Sequence, residues 1–398
     1  MAEKVAQRIL NIHESSTLRM AKLSRELKEK GVDVINLSLG EPDFDTPQHI
    51  KAAAIQSINE GFTHYPPVSG YLELKKAIVN KFKTENNLSY QPSQIVVSTG
   101  AKQSIINVIL SIIEKGDEVL VPSPFWVSYP EMIKMAEATP VFVHATIETD
   151  YKITPQQLEA AITPKTKAVV YSSPSNPTGS YYTEDELRSL AEVFQRHPQV
   201  FVISDEIYEH INFTGKHTSI AQIPGMYDRT IVVNGVSKAF AMTGWRIGYM
   251  AGPEWIAKAC EKLQGQFTSG ASSISQRATL AALTSSLEPT YKMRDAFKER
   301  RDLVIKKMER LYNCKFNIPQ GAFYLFPDVS CYFGTSYNGT TVKDAEDLAM
   351  YLLEEAKVTV VAGTGFGCEQ CIRISFAASK EELSTALDRI ADALEKLS

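Results

Sequence analysis

The chain has 398 residues, more than one ordinary hydrophobic core holds, so two domains are expected. Hydrophobic residues make up 44% and charged residues 22%, the balance of a soluble globular protein, and a net charge of -4 leaves no basic footprint for nucleic acid or an anionic membrane. Residues 1–10 are mixed and polar with no apolar signal core, and no apolar run approaches the ~20 residues of a membrane helix, so a cytoplasmic protein is expected.

Helical periodicity runs through residues 16–30, with Leu18, Ala21 and Leu27 on one side and Gly31 as the stop. Residues 32–39 alternate like a strand and end at Gly40. The run Glu41-Pro42-Asp43-Phe44-Asp45-Thr46-Pro47 is turn chemistry and marks a domain crossing. Pro47 opens a helix closed by Gly61, and a second helix covers 71–86. From Gln94 the rhythm becomes strand, helix, strand. Strands are predicted at 95–98, 118–121, 140–144, 168–172, 200–204, 231–233 and 247–251. Helices fall at 102–115, 129–138 and 155–162, and another runs to Arg196 behind a capping box of Thr183 and Glu186. This alternation predicts an α/β fold with a mainly parallel seven-stranded sheet flanked by helices.

After Pro253 the chain turns helical, and a long charged helix over 289–312 bridges to a second domain. Short strands follow at 322–326, 358–362 and 372–376, with a helix over 344–355. A last helix stands behind a capping box of Ser379 and Glu382. The N-terminal segment joins this part, giving a large domain of residues 47–288 and a smaller α+β domain of 1–46 and 289–398. The five cysteines are odd in number and lie late in the chain, against a disulfide framework. Cys368-Glu369-Gln370-Cys371 spells C-x-x-C, but one pair is half a zinc site and no helix start accompanies it. Neither a metal nor a redox role is expected there.

Polar motifs recur at strand exits, where open parallel sheets bind ligands. Ser98-Thr99-Gly100-Ala101-Lys102 ends one strand and opens a helix, whose free N–H groups and dipole suit a phosphate. Ser173-Pro174-Ser175-Asn176-Pro177 ends another, with prolines that present the Asn176 amide rigidly; a merely stiff loop is the alternative. Ser204-Asp205-Glu206-Ile207-Tyr208 ends a third. An acid at the end of an apolar strand needs a cationic partner or several hydrogen bonds, so Asp205 faces either a structural ion pair or a ligand cation. The apolar run 231–233 ends near Gly235, with Lys238 beyond it and Arg246 between two glycines. A lysine desolvated at a cleft wall loses its proton and can form a Schiff base with an aldehyde, while Ser237 and Arg246 hold an anion beside it. Alone, Lys238 reads as a surface lysine near a turn.

The order Gly-x-Ser-Lys-x-x-Ala-x-x-Gly-x-Arg-x-Gly changes that reading. It fills every defined position over the fourteen residues 235–248 and resembles the pyridoxal-phosphate lysine segment of class I aminotransferases of fold type I. The resemblance runs from about residue 30 to the C-terminus and is nearest to the bacterial aspartate aminotransferase subgroup. It implies pyridoxal 5'-phosphate as cofactor, Lys238 as Schiff-base lysine and proton shuttle, and Asp205 as partner of the pyridine nitrogen. It further implies that Asn176 and Tyr208 bond the ring oxygen, that Trp126 stacks on the ring, and that Gly100, Ala101, Lys102, Ser237 and Arg246 cradle the phosphate. Tyr65 resembles the tyrosine that reaches the neighbouring subunit's phosphate, which implies a homodimer with shared active sites. Arg373 matches the arginine that clamps the substrate α-carboxylate, and Gly40 the strand that closes over the substrate.

The implied reaction exchanges an amino group between an L-amino acid and a 2-oxo acid in two half-reactions. For aspartate as donor, Lys102 with Gln103 fits the distal carboxylate, and Thr17 of Ser15-Ser16-Thr17 fits an added hydroxyl. The subgroup places a basic residue and proline before this triplet, where His13-Glu14 stand here, which weakens the case for prephenate as an additional substrate. Aromatic amino acids, alanine, kynurenine or prephenate as substrates, C–S lyase chemistry, and a cofactor-binding regulator are the alternatives. The regulators carry an added helix-turn-helix domain, for which residues 1–31 are too short.

Overall fold

Seven strands form one sheet: β1 (Ile95–Ser98), β2 (Glu118–Ser123), β3 (Thr139–His144), β4 (Thr166–Ser172), β5 (Phe201–Asp205), β6 (Thr230–Gly235) and β7 (Gly248–Ala251). Their order is β1-β7-β6-β5-β4-β2-β3 in the computed structural model, which describes residues 5–310 and 314–398. Every neighbouring pair is parallel except those of β7, which runs antiparallel to both β1 and β6. The reason lies in the connection. Residues 236–247 form an irregular loop with a short 3-10 turn, not the crossover helix a parallel neighbour requires. β1, β6 and β7 are buried along their whole length, which is why they read as unbroken apolar runs. Ile105, Val108 and Ile109 cover one face, while Ile78, Phe82 and Ala278 pack among the strands' other side chains.

The C-terminal part holds a three-stranded antiparallel sheet, β8 (Tyr324–Leu325), β9 (Val361–Ala362) and β10 (Ile372–Ser375), with β10 in the middle. Phe297, Phe323, Phe376, Leu383 and Leu387 pack in its core, each worth about 1.5–3 kcal/mol of apolar transfer. Ile35–Asn36 pairs in parallel with Val358–Thr359, so the N-terminal segment is built into this part.

The strand expected over 32–39 is thus two residues of ladder. The chain stays extended, but Leu37 gives its carbonyl to Ser375, and Ser38 N–H turns back to Asn36 Oδ1. The run 358–362 splits at Val360 because its halves pair with different partners. The helix over 344–355 is α-helical at Ala345–Tyr351 and π-helical at Leu352–Ala356. The bridging helix spans Glu288–Met308; its predicted end at Tyr312 lies outside the described residues. Both capping boxes, at Thr183 and Ser379, are present. No helix among the described residues is long and apolar enough to cross a membrane.

Candidate active site

The exits of β4, β5 and β6 open into a cavity of about 370 Å³, walled on its far side by residues 39–41 and Arg373. Twelve of the fourteen predicted site residues line it: Thr17, Gly40, Ala101, Lys102, Trp126, Asn176, Asp205, Tyr208, Ser237, Lys238, Arg246 and Arg373. Gly100 lies one residue behind Ala101. Tyr65 is 95% exposed and outside the cavity of its own chain.

Lys238 sits on the loop after β6, anchored by buried Val236, Ala239 and Phe240. Its Nζ donates to the Gly40 carbonyl, which ties the loop to the N-terminal segment. Burial lowers its pKa to about 8; Arg373 and Arg246 push the same way, and Glu41 and Asp205 oppose. The amine is therefore far easier to deprotonate than an ordinary lysine.

Asp205 ends β5. Its Oδ2 accepts from Tyr129 Oη at 2.8 Å and its Oδ1 from the Ile207 N–H at 3.3 Å. Burial nevertheless raises its pKa to about 6 against those two hydrogen bonds. It is a carboxylate short of a cation, and a ring N–H⁺ would supply one.

The helix Ala101–Ile112 starts at the cavity. Its N-cap is Gly100 at φ 85°, with no side chain bonded to the first N–H groups. A Cβ on Gly100 would strike the Arg246 guanidinium, and one on Gly248 would fall onto the Ala101 nitrogen. Gly100 and Gly248 thus let Arg246 and β7 close on the helix start. With Ser237 beside them, these groups make an anion cradle.

Arg373, on β10, is 1% exposed. Its Nη1 donates to Asn176 Oδ1 at 2.9 Å and its Nη2 to the Ser38 carbonyl at 2.6 Å, while Nε is buried without a partner. Tyr324 and Phe366 flank the guanidinium, with ring centroids at 4.5 and 4.9 Å. Burial works against its charge, and no carboxylate pairs with it among the described residues. An incoming carboxylate would complete it. Lys102 places its amine 4.9 Å from the Trp126 ring centroid, and desolvation with the nearby Arg246 lowers its pKa. His13 donates its N–H to Glu131 at 2.9 Å, docking the N-terminal segment so that Thr17 reaches the cavity.

One expectation is corrected. Gln103 does not join Lys102, because its amide accepts from the Thr99 N–H and donates to Thr268, both at 2.6 Å. Tyr129, Tyr324 and Glu41 also line the cavity, and no motif in the sequence marks them for it. Tyr324 Oη lies 2.7 Å from Tyr208 Oη and occupies the space a Cβ on Gly40 would need. Their only sequence signal is proximity: Tyr129 follows Trp126 by three positions, and Tyr324 lies on a predicted strand.

A family model described as aminotransferase class I and II matches residues 32–390, and the chain belongs to that family. It is an enzyme, a pyridoxal-phosphate-dependent aminotransferase. It is 49% identical over 385 residues to an aspartate/prephenate aminotransferase of Cereibacter sphaeroides, covering 96% of each chain. It is 46% identical to an aspartate aminotransferase of Bacillus subtilis, covering 99% of each. The structure of the Rhizobium meliloti aspartate aminotransferase superimposes with a TM-score of 0.96 at 42% identity, covering both chains fully. The residues present fit the cofactor: a deprotonatable amine, a buried acid lacking a cation, an open helix start with an arginine, and an aromatic wall.

Proposed function

We propose that the chain transfers the amino group of L-aspartate to 2-oxoglutarate. The observation that carries this is the convergence on one cavity of Lys238, Asp205, the anion cradle, and Arg373 with its unpartnered Nε. Bound pyridoxal phosphate supplies an aldehyde to capture the amine and a ring that accepts charge from the α-carbon. Asp205 would hold a proton at the ring nitrogen, Asn176 and Tyr208 would bond the ring oxygen, and Trp126 would wall the ring's pocket. Gly100, Ala101, Lys102, Ser237 and Arg246 hold the phosphate. Arg373 grips the substrate α-carboxylate, which aims the α-hydrogen at Lys238. Lys238 would take that proton as base and give it back as acid; water would release the 2-oxo acid, and the retained amino group would pass to a second 2-oxo acid by the reverse course. Gly40 and the segment around it would exclude water over the reacting atoms.

Lys102 and Thr17 receive the distal carboxylate. Relatives named aspartate aminotransferases support aspartate as donor, and so does a cation at this end of the cavity. Tyr65, exposed in the single chain, reaches the phosphate of a second copy, giving a cytoplasmic homodimer with shared sites. Residues 47–288 act as the cofactor domain, with 1–46 and 289–398 as the smaller closing one. Prephenate as acceptor is the second reading, favoured by the names of the Cereibacter sphaeroides and Petunia hybrida relatives.

Mixing the cofactor-loaded protein with excess L-aspartate, alanine, tyrosine or cysteine tests the donor. Aspartate is expected to bleach the visible cofactor band fastest, with release of oxaloacetate; conversion of another amino acid alone sinks the substrate assignment. The same assay with the aminated enzyme and prephenate decides the second reading.

Lys102→Ala should lower kcat/KM for L-aspartate about 10–100-fold more than for alanine, the loss of one charge-assisted hydrogen bond of about 1.5–3 kcal/mol to the distal carboxylate. An equal loss on both donors would assign Lys102 to the phosphate alone. Tyr129→Phe removes one of the two donors that keep Asp205 ionised. The carboxyl pKa then rises, so activity should fall by about tenfold and its acid limb should move to higher pH. An unmoved limb would leave Tyr129 a packing residue.

A further inference from the structure

Cys368 and Cys371 occupy the loop between β9 and β10, with Sγ atoms 3.3 Å apart. Both are free thiols; Cys368 is 8% exposed and Cys371 fully buried. The C-x-x-C spacing lacks the helix start of a familiar redox motif, but the loop geometry brings the sulfurs together instead. Gly363 N–H donates to the Cys371 carbonyl at 2.7 Å, and Cys368 N–H to the Gly363 carbonyl at 3.1 Å. A Cβ on Gly363 would collide with both cysteine carbonyls, so the glycine permits the tight closure. A disulfide needs a sulfur separation of about 2.05 Å, a closing of roughly 1.2 Å. The thiols are also unequal. The hydrogen bond between the two sulfurs lowers the pKa of Cys368, while the same bond and burial push that of Cys371 up.

The loop touches the active site on two sides. The Phe366 carbonyl accepts from Phe125 N–H at 3.0 Å, and the Gly367 carbonyl accepts from Ser123 Oγ at 2.6 Å. These bonds hold the segment that carries Trp126. Phe366 packs on the Arg373 guanidinium, and Arg373 follows Cys371 by two residues.

We propose that Cys368 and Cys371 are a modification site, a dithiol that small-molecule disulfides oxidise to an intrachain disulfide, shifting Arg373 and the Trp126 segment and weakening capture of the amino acid. The effect on capture rests on Arg373 as the α-carboxylate clamp. Cys368, as thiolate, attacks one sulfur of the external disulfide and expels one thiolate. Cys371 then loses its proton to solvent and attacks the Cys368 sulfur of the mixed disulfide, expelling the second. Two protein thiols are oxidised, and one external disulfide is reduced to two thiols.

The test incubates the holoenzyme with oxidised glutathione, alkylates remaining thiols and maps peptides by mass. The peptide holding Cys368 and Cys371 should lose two hydrogens and resist alkylation, and KM for the amino acid should rise by about tenfold with a smaller change in kcat. Dithiothreitol should reverse both. Cys368→Ser should keep the untreated kinetics and lose the response to oxidised glutathione, and Cys371→Ser should form no intrachain disulfide. Mapping separates this pair from Cys314 and Cys331, whose sulfurs lie 3.9 Å apart. Full alkylation of both thiols after oxidation overturns the proposal, as does a mapped disulfide with unchanged KM. The map does not depend on Arg373, so a failure of the clamp shows separately, in the kinetics of Arg373 variants.

Discussion

Lys238→Ala should lower transamination by more than about ten-thousand-fold, because one side chain both captures the cofactor aldehyde and moves the α-proton. Among the described residues, Arg246 and Arg373 line the cavity with guanidinium groups rather than amines, and Lys102 sits at the Trp126 wall. Single-turnover conversion of L-aspartate measures the loss, and activity within a hundredfold of wild type would remove Lys238 from the chemistry. A pH experiment on the cofactor-free protein addresses the amine directly. Only neutral Nζ adds to an aldehyde, and desolvation lowers its pKa to about 8. Recombination with pyridoxal phosphate should therefore accelerate as pH rises through about 8 and level off above it. An ordinary lysine would still be accelerating near pH 10.

The parts of this site legible in the sequence are those in which one short segment carries both the fold signal and the chemistry. An apolar run ending in Asp205, or a strand leading to Lys238 and Arg246, declares its position by its pattern, and the sheet order places such exits side by side. Contacts between distant segments were not legible. Tyr129 and Asp205 are 76 residues apart, Tyr208 and Tyr324 are 116 apart, and a buried tyrosine reads in sequence as core. Gln103 shows the converse. Its position beside Lys102 suggests a ligand contact, yet its amide is spent on the Thr99 N–H ahead of the helix and on Thr268. The N-terminal strand was overextended for a related reason: alternation records burial, which continues to Ser38, whereas the ladder stops where partners change.

Replacing Arg373 should cost less than replacing Lys238, and should show it in a different constant. A guanidinium offers a carboxylate two parallel charge-assisted hydrogen bonds, each worth about 1.5–3 kcal/mol, so Arg373→Met should lower kcat/KM for L-aspartate by about 10²–10⁴-fold, chiefly through KM. Arg373→Lys should recover little, because one ammonium cannot reproduce the planar fork that also holds Asn176 Oδ1 and the Ser38 carbonyl. The fold should tolerate the change. Burying a guanidinium with no carboxylate partner opposes folding, whereas removing it orphans two acceptors at about 1–3 kcal/mol each; these opposing effects are of similar size. The thermal midpoint of the cofactor-free methionine variant should then stay within a few degrees of wild type while substrate affinity collapses. A lysine variant within tenfold of wild type would show that a point charge suffices and that the fork is not the recognition element. A large drop in the midpoint would show instead that Arg373 holds the smaller sheet to the Asn176 loop, and that its charge is kept there for architecture rather than for the substrate.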